Sequence, residues 1–339
     1  MFDVFELQKK LVAAALPPGF ESRVTKVIEE LAKPYCDEMY YDAMGSLFCR
    51  VKGEGKRIMF AAHTDVIGFI AKYIDDSGVV WIDRIGFHRT GAMINTPVVF
   101  ENGVIGVLKV KELSRFLDGP MNGVPQDEFF VDIGATCKEQ AEKLVKVGDV
   151  AKFAHEPMLI GNGKMVMGPY ADDIIGCVVQ LLALQQTKKG PNDVYYVFTA
   201  QEESGIRGAI PASFSVEPYM GFSVDIGYSG DTPEHDDDHM LIKLGDGPTV
   251  KLKDSALVSA PQAIAHLRKA AEKSGVKTQD EILVVGGTDA SAIQKAKAGA
   301  YAGGTSISTR NIHSPVEIFS ISDVEGCAKL IAAAAQLEL

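Results

Sequence analysis

Several things are scarce in this sequence, and each scarcity closes a class of function. Cationic charge is the first: 34 Lys and Arg stand against 45 Asp and Glu, a net charge of −11 over 339 residues. A protein that grips nucleic acid or an anionic membrane through a general positive field is disfavoured. Long apolar runs are also missing, and no stretch approaches the ~18 residues a membrane-spanning helix needs. The first residues, MFDVFELQKKLVAAALPPGF, put Asp3 and Glu6 ahead of a short apolar run. A secretory signal has a basic start and a longer apolar core, so export is not expected. Cys36, Cys49, Cys137, Cys177 and Cys327 are scattered, odd in number and never paired as CxxC. A disulfide framework is disfavoured, and reduced thiols in the cytoplasm are expected. No GxxxxGK[ST] and no strand-to-helix GxGxxG offers a phosphate cradle. No GxSxG marks a serine hydrolase.

What remains is a globular composition, 46% hydrophobic and 23% charged. At about 150 residues per domain the length suits two domains. Helical spacing is expected over 5–15 and 20–33, with Pro17, Pro18 and Gly19 between them and Pro34 closing the second. Strands follow at 39–41, 47–51 and 58–62, the last apolar throughout as in a strand buried on both faces. From 67 to 164 the texture changes to short strands (68–74, 79–83, 98–100, 104–110, 129–132) with one helical stretch at 138–146. After 165 helices (173–185, 206–213, 261–274, 291–298, 322–337) alternate with strands (193–200, 221–225, 281–285). The fold class is α/β, a mostly parallel sheet between helix layers. Residues 1–66 and 165–339 make one domain, with a small β-rich domain, 67–164, inserted in it.

Ionisable residues collect where strands should end, the place where open α/β sheets build sites. His63 and Asp65 follow RIMFAA, Glu202 and Glu203 follow DVYYVFTA, and Asp225 follows GFSV. Asp172 and Asp173 precede a helix, and His313 lies beyond YAGGTSIS. Each alone has an ordinary reading: aspartates cap helices, and a glutamate doublet can be solvated charge. Adjacent side chains on a strand point oppositely, so Glu202 and Glu203 share a site only if the strand has ended. Together, two histidines and several carboxylates with little cysteine suit zinc, manganese or cobalt. Five or more ligands exceed a single closed zinc site and fit two ions. One glutamate of the doublet can then bind metal while the other acts as a base. The run EHDDDH, 234–239, also mixes ligand types, but adjacent residues converge poorly on one ion, and it reads as a solvated acidic loop.

Seven blocks carry a family resemblance: AAHTDVIGF (61–69), ADDIIG (171–176), TAQEESGIRGA (199–209), VDIGYSGDTP (224–233), KLGDGPTVKLKD (243–254), GGTDASAI (286–293) and STRNIHSPVE (308–317). In this order the chain resembles the M42 metallo-aminopeptidases, the glutamyl-aminopeptidase and tetrahedral-aminopeptidase relatives. The resemblance implies a catalytic α/β domain of the co-catalytic zinc-peptidase type and two divalent ions per chain. His63, Asp172 and Asp225 would hold one ion; Asp172, Glu203 and His313 would hold the other, with Asp172 bridging. Glu202 would be the base that activates a metal-bridging water, and Asp65 would hydrogen-bond His63 and fix its tautomer. The implied substrates are short peptides with a free N-terminus. The 67–164 segment would be an oligomerisation domain, joining dimers into a hollow tetrahedral dodecamer with the active sites facing inward. Val66, Ile174 and Ser204 stand where the family commonly has glutamate, arginine and valine.

Two other readings compete. A metal-binding scaffold without turnover would retain the ligands alone. A glycoside hydrolase, as older labels for the family suggest, would set two carboxyls about a sugar. It would leave His63 and His313 idle, and Trp81 is the only tryptophan available as a sugar platform.

Overall fold

The computed structural model describes residues 2–111, 128–233 and 242–339. The acidic run 234–239 lies outside these. Among the described residues the strands are β1 (Glu38–Tyr41), β2 (Leu47–Val51), β3 (Arg57–His63), β4 (Gly68–Ile74), β5 (Val80–Ile85), β6 (Pro97–Phe100), β7 (Ile105–Val110), β8 (Phe129–Asp132), β9 (Val150–Phe153), β10 (Met158–Ile160), β11 (Met165–Gly168), β12 (Asp193–Thr199), β13 (Met220–Tyr228), β14 (Thr249–Lys253), β15 (Gln279–Ile282), β16 (Tyr301–Arg310) and β17 (Glu317–Ser320). The helices are α1 (Val4–Ala14), α2 (Ser22–Ala32), α3 (Thr90–Met93), α4 (Lys138–Ala141), α5 (Ala171–Gln186), α6 (Ala209–Val216), α7 (Pro261–Ser274), α8 (Ala290–Gln294) and α9 (Ile321–Gln336).

A large sheet runs β1-β2-β12-β3-β13-β16-β17-β11-β10, with β14 and β15 attached beside β16. Its middle, β12-β3-β13-β16, is parallel, and the flanks are antiparallel. Alternation along β3 explains the layering. Phe60 and Ala62 pack into the core shared with α5 and α9, while Met59 and Ala61 pack with Ala212 of α6 and Ile293 of α8. Both faces of β3 are therefore covered, and its apolar run has nowhere polar to point. Helix α5 is buried from Ala171 to Leu184, so beyond its first turn its sequence is apolar on all sides except at Gln180, whose amide donates to the Val197 carbonyl.

The other sheet closes on itself as a six-stranded barrel, β4-β5-β8-β7-β6-β9, emerging from the end of β3. Strand β10 falls inside the 67–164 segment, yet it pairs with β11 in the large sheet. The barrel strands themselves span Gly68–Phe153. Among the described residues no helix is long and apolar enough to cross a membrane.

Sequence and structure part at several places, among them a helix expected over 291–298 that ends at Gln294. The helix expected over 138–146 is one turn, Lys138–Ala141, followed by turns. The helix expected from 206 begins at Ala209, because Glu202–Gly208 forms a hydrogen-bonded turn instead. The strand expected over 281–285 ends at Ile282, and Val284 and Val285 stand 72% and 73% exposed beyond the sheet. The long central strand β16, YAGGTSISTR, has no apolar run to mark it, only Thr305, Ile307 and Thr309 at alternate positions after a glycine pair. A Cβ at Gly304 would sit 2.6 Å from Ser223 Oγ, so the neighbouring strand demands a glycine there.

Candidate active site

The carboxyl ends of β3, β12 and β13 and the start of α5 meet around a cavity of about 290 Å³. His63, Asp172, Glu202, Glu203, Asp225 and His313 all line it. Asp65 and Asp173 lie just behind, fully buried. Strand β12 ends at Thr199, three residues before the glutamate doublet, so the condition for both carboxylates to share one site is met.

Asp172 is the centre. Its Oδ1 is 3.0 Å from His63 Nε2 and its Oδ2 is 3.0 Å from His313 Nε2, one carboxylate spanning two imidazoles. Asp172 and Asp173 depart from helical dihedrals in the first turn of α5. Asp173 is engaged with the backbone: Oδ2 accepts the His63 N–H at 3.1 Å and Oδ1 accepts the Gly176 N–H at 3.1 Å. Gly176 permits that approach, since a Cβ there would lie 2.3 Å from Asp173 Oδ1. Asp225, His63 and Asp173 carry potential ligand atoms within 4.8 Å of one another, as do His63, Asp172 and Glu203.

The expected buttress of His63 needs a correction. Its Nδ1 donates to the main-chain carbonyl of Asp65 at 3.0 Å, while the Asp65 carboxylate is 3.7 Å away. The carboxylate is already committed. Its Oδ1 accepts the Glu202 N–H and its Oδ2 accepts the Glu203 N–H, each at 3.0 Å. Amides that follow a finished strand have no ladder partner, and a buried carboxylate supplies one. Asp65 thus fixes the glutamate turn directly and the imidazole through its backbone. With Nδ1 committed to that carbonyl, Nε2 is the ring nitrogen His63 turns to the cavity, where it meets Asp172.

Two buried acids escaped the sequence reading. Glu317, at the start of β17, accepts the Asp172 N–H at 3.1 Å and the His313 N–H at 2.7 Å, tying α5 to the histidine loop. Asp289 accepts the Thr199 hydroxyl at 2.5 Å and leaves its Oδ1 without a partner. Neither gives a local signal, because the partners are far away in sequence.

The electrostatics are those of crowded buried acid. Burial, then the Asp172 charge, pushes Glu203 up to about 8 and Asp225 up to about 7. Burial and Asp172 likewise push Glu317 up to about 8. Glu202 is held well above the carboxylate range by burial and by the charges of Asp225, Asp289 and Glu203, against the pull of His63. Asp172 is the exception. Burial works against its charge, but the hydrogen bonds and charges of His313 and His63 hold it well below the usual range. Burial opposes the His313 cation, yet Asp172 and Glu203 raise it to about 9.

Such a set asks for cations. Two imidazoles face a larger number of carboxylates, and the buried Glu203 Oε1 and His313 Nδ1 have no hydrogen-bond partner. Nitrogen and oxygen donors without thiolate suit borderline divalent ions. The residues present therefore fit the divalent metals of a metal-dependent peptidase, with Asp172 between the two imidazoles.

A curated relative from Acetivibrio thermocellus, named only provisionally as an aminopeptidase, is 37% identical over 329 residues, covering 97% of each chain. The solved aminopeptidase of the archaeon Desulfurococcus kamchatkensis superposes with a TM-score of 0.93 at 33% identity, covering 98% of this chain and 94% of that one. The TET1 peptidase of Pyrococcus horikoshii, described as assembling into a tetrahedron or an octahedral shell, superposes with a TM-score of 0.87 at 29% identity, covering 98% and 99%. The sequence pattern of the M42 glutamyl aminopeptidases matches residues 45–330, which include every cavity-lining acid and histidine named above. This chain is an enzyme acting on peptide bonds and belongs to the M42 aminopeptidase family.

Proposed function

We propose that the protein is a two-metal aminopeptidase that removes N-terminal residues from short peptides. The observation that carries this is the Asp172 carboxylate set between His63 and His313, with Glu202 and Glu203 on a turn pinned by Asp65. His63, Asp172 and Asp225 would hold one divalent ion, and Asp172, Glu203 and His313 the other. Asp172 is preferred over Asp173 as the bridge because Asp173 has both oxygens on backbone N–H groups. Zinc, cobalt and manganese all suit the donor set. When bound, the ions supply Lewis acidity, polarising the scissile carbonyl and acidifying a water.

The chain's own groups do the rest. Glu202 Oε2 lies 4.0 Å from His63 Nε2, at the edge of the ligand cluster and not within it. From there it takes the proton of the attacking water and returns it to the leaving amine. The Asp65 carboxylate holds its amide so that the transfer geometry survives turnover. The surrounding carboxylates attract the substrate's ammonium, so a free N-terminus is required. The cavity walls, Ile206, Ile226, Leu283 and Ile312, receive the first side chain and keep water out.

The barrel is the oligomerisation element in this reading. It exposes Ile105, Leu144 and Val147 to solvent, apolar surface that a monomer has no use for. A dimer that builds a tetrahedral dodecamer follows, and sedimentation of the purified protein tests it. Five free thiols suit a cytoplasmic location.

Glu202→Gln tests the mechanism. It keeps the shape and the ligands, so two ions per chain should remain by elemental analysis. The rate should fall by about 10²–10⁴-fold, the usual share of a positioned acid–base group. Full activity in this variant would end the assignment. Two bound ions in the native protein without cleavage of any free-amine peptide would favour the scaffold reading instead.

A further inference from the structure

Beside the catalytic cavity lies a second hollow, of about 710 Å³, which shares Phe87 and Tyr228 with it. Its other lining includes Arg84 and Arg89. Among the described residues neither guanidinium makes an ion pair or a side-chain hydrogen bond. Arg84 is part-buried, and its Nε is shielded from solvent with no partner. Its chain neighbour Asp83 turns Oδ1 to the Arg84 backbone N–H at 2.9 Å. Arg89 is exposed, its guanidinium 5.9 Å from the Tyr228 ring. In a chain of net charge −11, two unpaired arginines at one hollow are conspicuous. A buried donor left without an acceptor carries a desolvation penalty that a ligand can relieve. Guanidinium forks recognise carboxylates in particular.

We propose that Arg84 and Arg89 form a subsite for a carboxylate on the leaving side of the substrate. This rests on the aminopeptidase reading of the adjoining cavity. A short peptide is a dipole, with an ammonium at one end and a carboxylate at the other. The crowd of buried acids attracts the ammonium end. The arginines attract the other end, and the shared Phe87 and Tyr228 wall joins the two hollows. The Arg89 backbone N–H donates to the His313 carbonyl at 3.4 Å, so at about 3.3–3.6 Å per extended residue the anion falls within the first few residues beyond the scissile bond. It comes either from the C-terminus of a di- to tetrapeptide or from an acidic side chain there. Uniform anchoring of this kind lowers KM more than it raises kcat. It makes the enzyme favour short or acidic-tailed peptides over longer neutral ones.

The test compares matched substrates in the metal-loaded enzyme. Leu-Gly-Gly is set against Leu-Gly-Gly-amide for the C-terminal source, and Leu-Glu-amide against Leu-Gln-amide for the side-chain source. The readout is the anionic-to-neutral ratio of kcat/KM, which a merely structural role of the arginines would not move. A ratio of about ten or more in at least one pair, carried by KM, is expected. In Arg84→Gln/Arg89→Gln it should collapse towards one, and in Arg84→Lys it should partly return. Peptides cleaved with ratios near one in both pairs overturn the subsite and leave the aminopeptidase standing. A high ratio that persists in the double variant overturns the assignment to these arginines. No cleavage of any of the four peptides would remove the aminopeptidase reading itself, and the subsite with it.

Discussion

Two groups of buried charge lie a short way apart in this protein, and they are built on opposite terms. On the attached strands β14 and β15, Lys251 and Glu281 are 0% and 2% exposed and meet at 2.8 Å. The Thr249 hydroxyl donates to the second Glu281 oxygen at 2.6 Å, and itself accepts the Ser306 N–H at 2.9 Å. Charge is matched and the main polar partners are present. At the ends of the parallel strands, acids outnumber bases, their carboxyls are pushed upward, and Glu203 Oε1 and His313 Nδ1 are left over. A matched buried pair serves the fold, whereas an unmatched cluster destabilises the fold until something binds it. The contrast separates structural from functional charge without appeal to any relative.

The largest expected effect comes from neutralising one member of the unmatched cluster. Glu203→Gln removes a proposed ligand, so activity should drop on the order of 10³-fold, as the loss of several kcal/mol of charge stabilisation requires. Bound metal should fall towards one ion per chain. The metal-free protein should respond in the other direction. Glu203 has a folded pKa of about 8, raised from an ordinary carboxyl, so its stabilising contribution is complete at acid pH and is lost as pH rises through about 8. His313, raised to about 9, acts with the same sign on the alkaline side of neutrality. The urea midpoint of chelated native protein should therefore decline from mildly acidic pH to about pH 9, and decline less steeply in Glu203→Gln. An identical slope in both proteins would mean that Glu203 is not under the strain its surroundings imply.

Breaking the matched pair should invert the pattern. Lys251→Met leaves Glu281 buried without its cation, a change that costs about 3–5 kcal/mol. Lys251→Met/Glu281→Leu should recover most of that loss by urea denaturation, because no charge is then stranded. The Lys251 charge also pulls Asp225 downward, so the single variant should weaken metal retention somewhat as well. If the double variant is as unstable as the single, the pair is held for its hydrogen bonds and not for its charge balance.

The legibility of the molecule in its sequence follows the same division. Strands β3 and β12 are readable because both faces are buried in the parallel centre, which forces apolar runs. Strand β16 is equally central but unreadable, since Gly303 and Gly304 meet close neighbours and the buried Ser306 and Ser308 carry no apolar pattern. The location of the site is readable because ionisable residues interrupt apolar runs just where strands end. The partnerships within it are not. That Asp65 serves two amides, and that Glu317 joins residues 141 positions apart, are consequences of tertiary closeness. The exposed Val284 and Val285 mislead for the opposite reason: an apolar run promises a strand where the chain has already left the sheet.

The smallest effect concerns the joint between the sheet domain and the barrel, where one charge is matched by dipoles alone. Lys152, on barrel strand β9, donates Nζ to the carbonyls of Val12, Ala13 and Ala15 at 2.6, 3.0 and 2.8 Å. These lie at the C-terminal end of α1, where carbonyls lack helical partners and the helix dipole favours a cation. Burial draws the Lys152 ammonium down to about 8, so desolvation takes back part of what the three bonds contribute. The net loss in Lys152→Met should accordingly be modest, about 1 kcal/mol by urea denaturation. Amide exchange should quicken at the end of α1 and in β9 more than in the parallel centre of the sheet. Uniform exchange with no loss of stability would mean that apolar packing alone holds the barrel against α1. Lys152 would then join the arginines of the rim as a cation without a structural task.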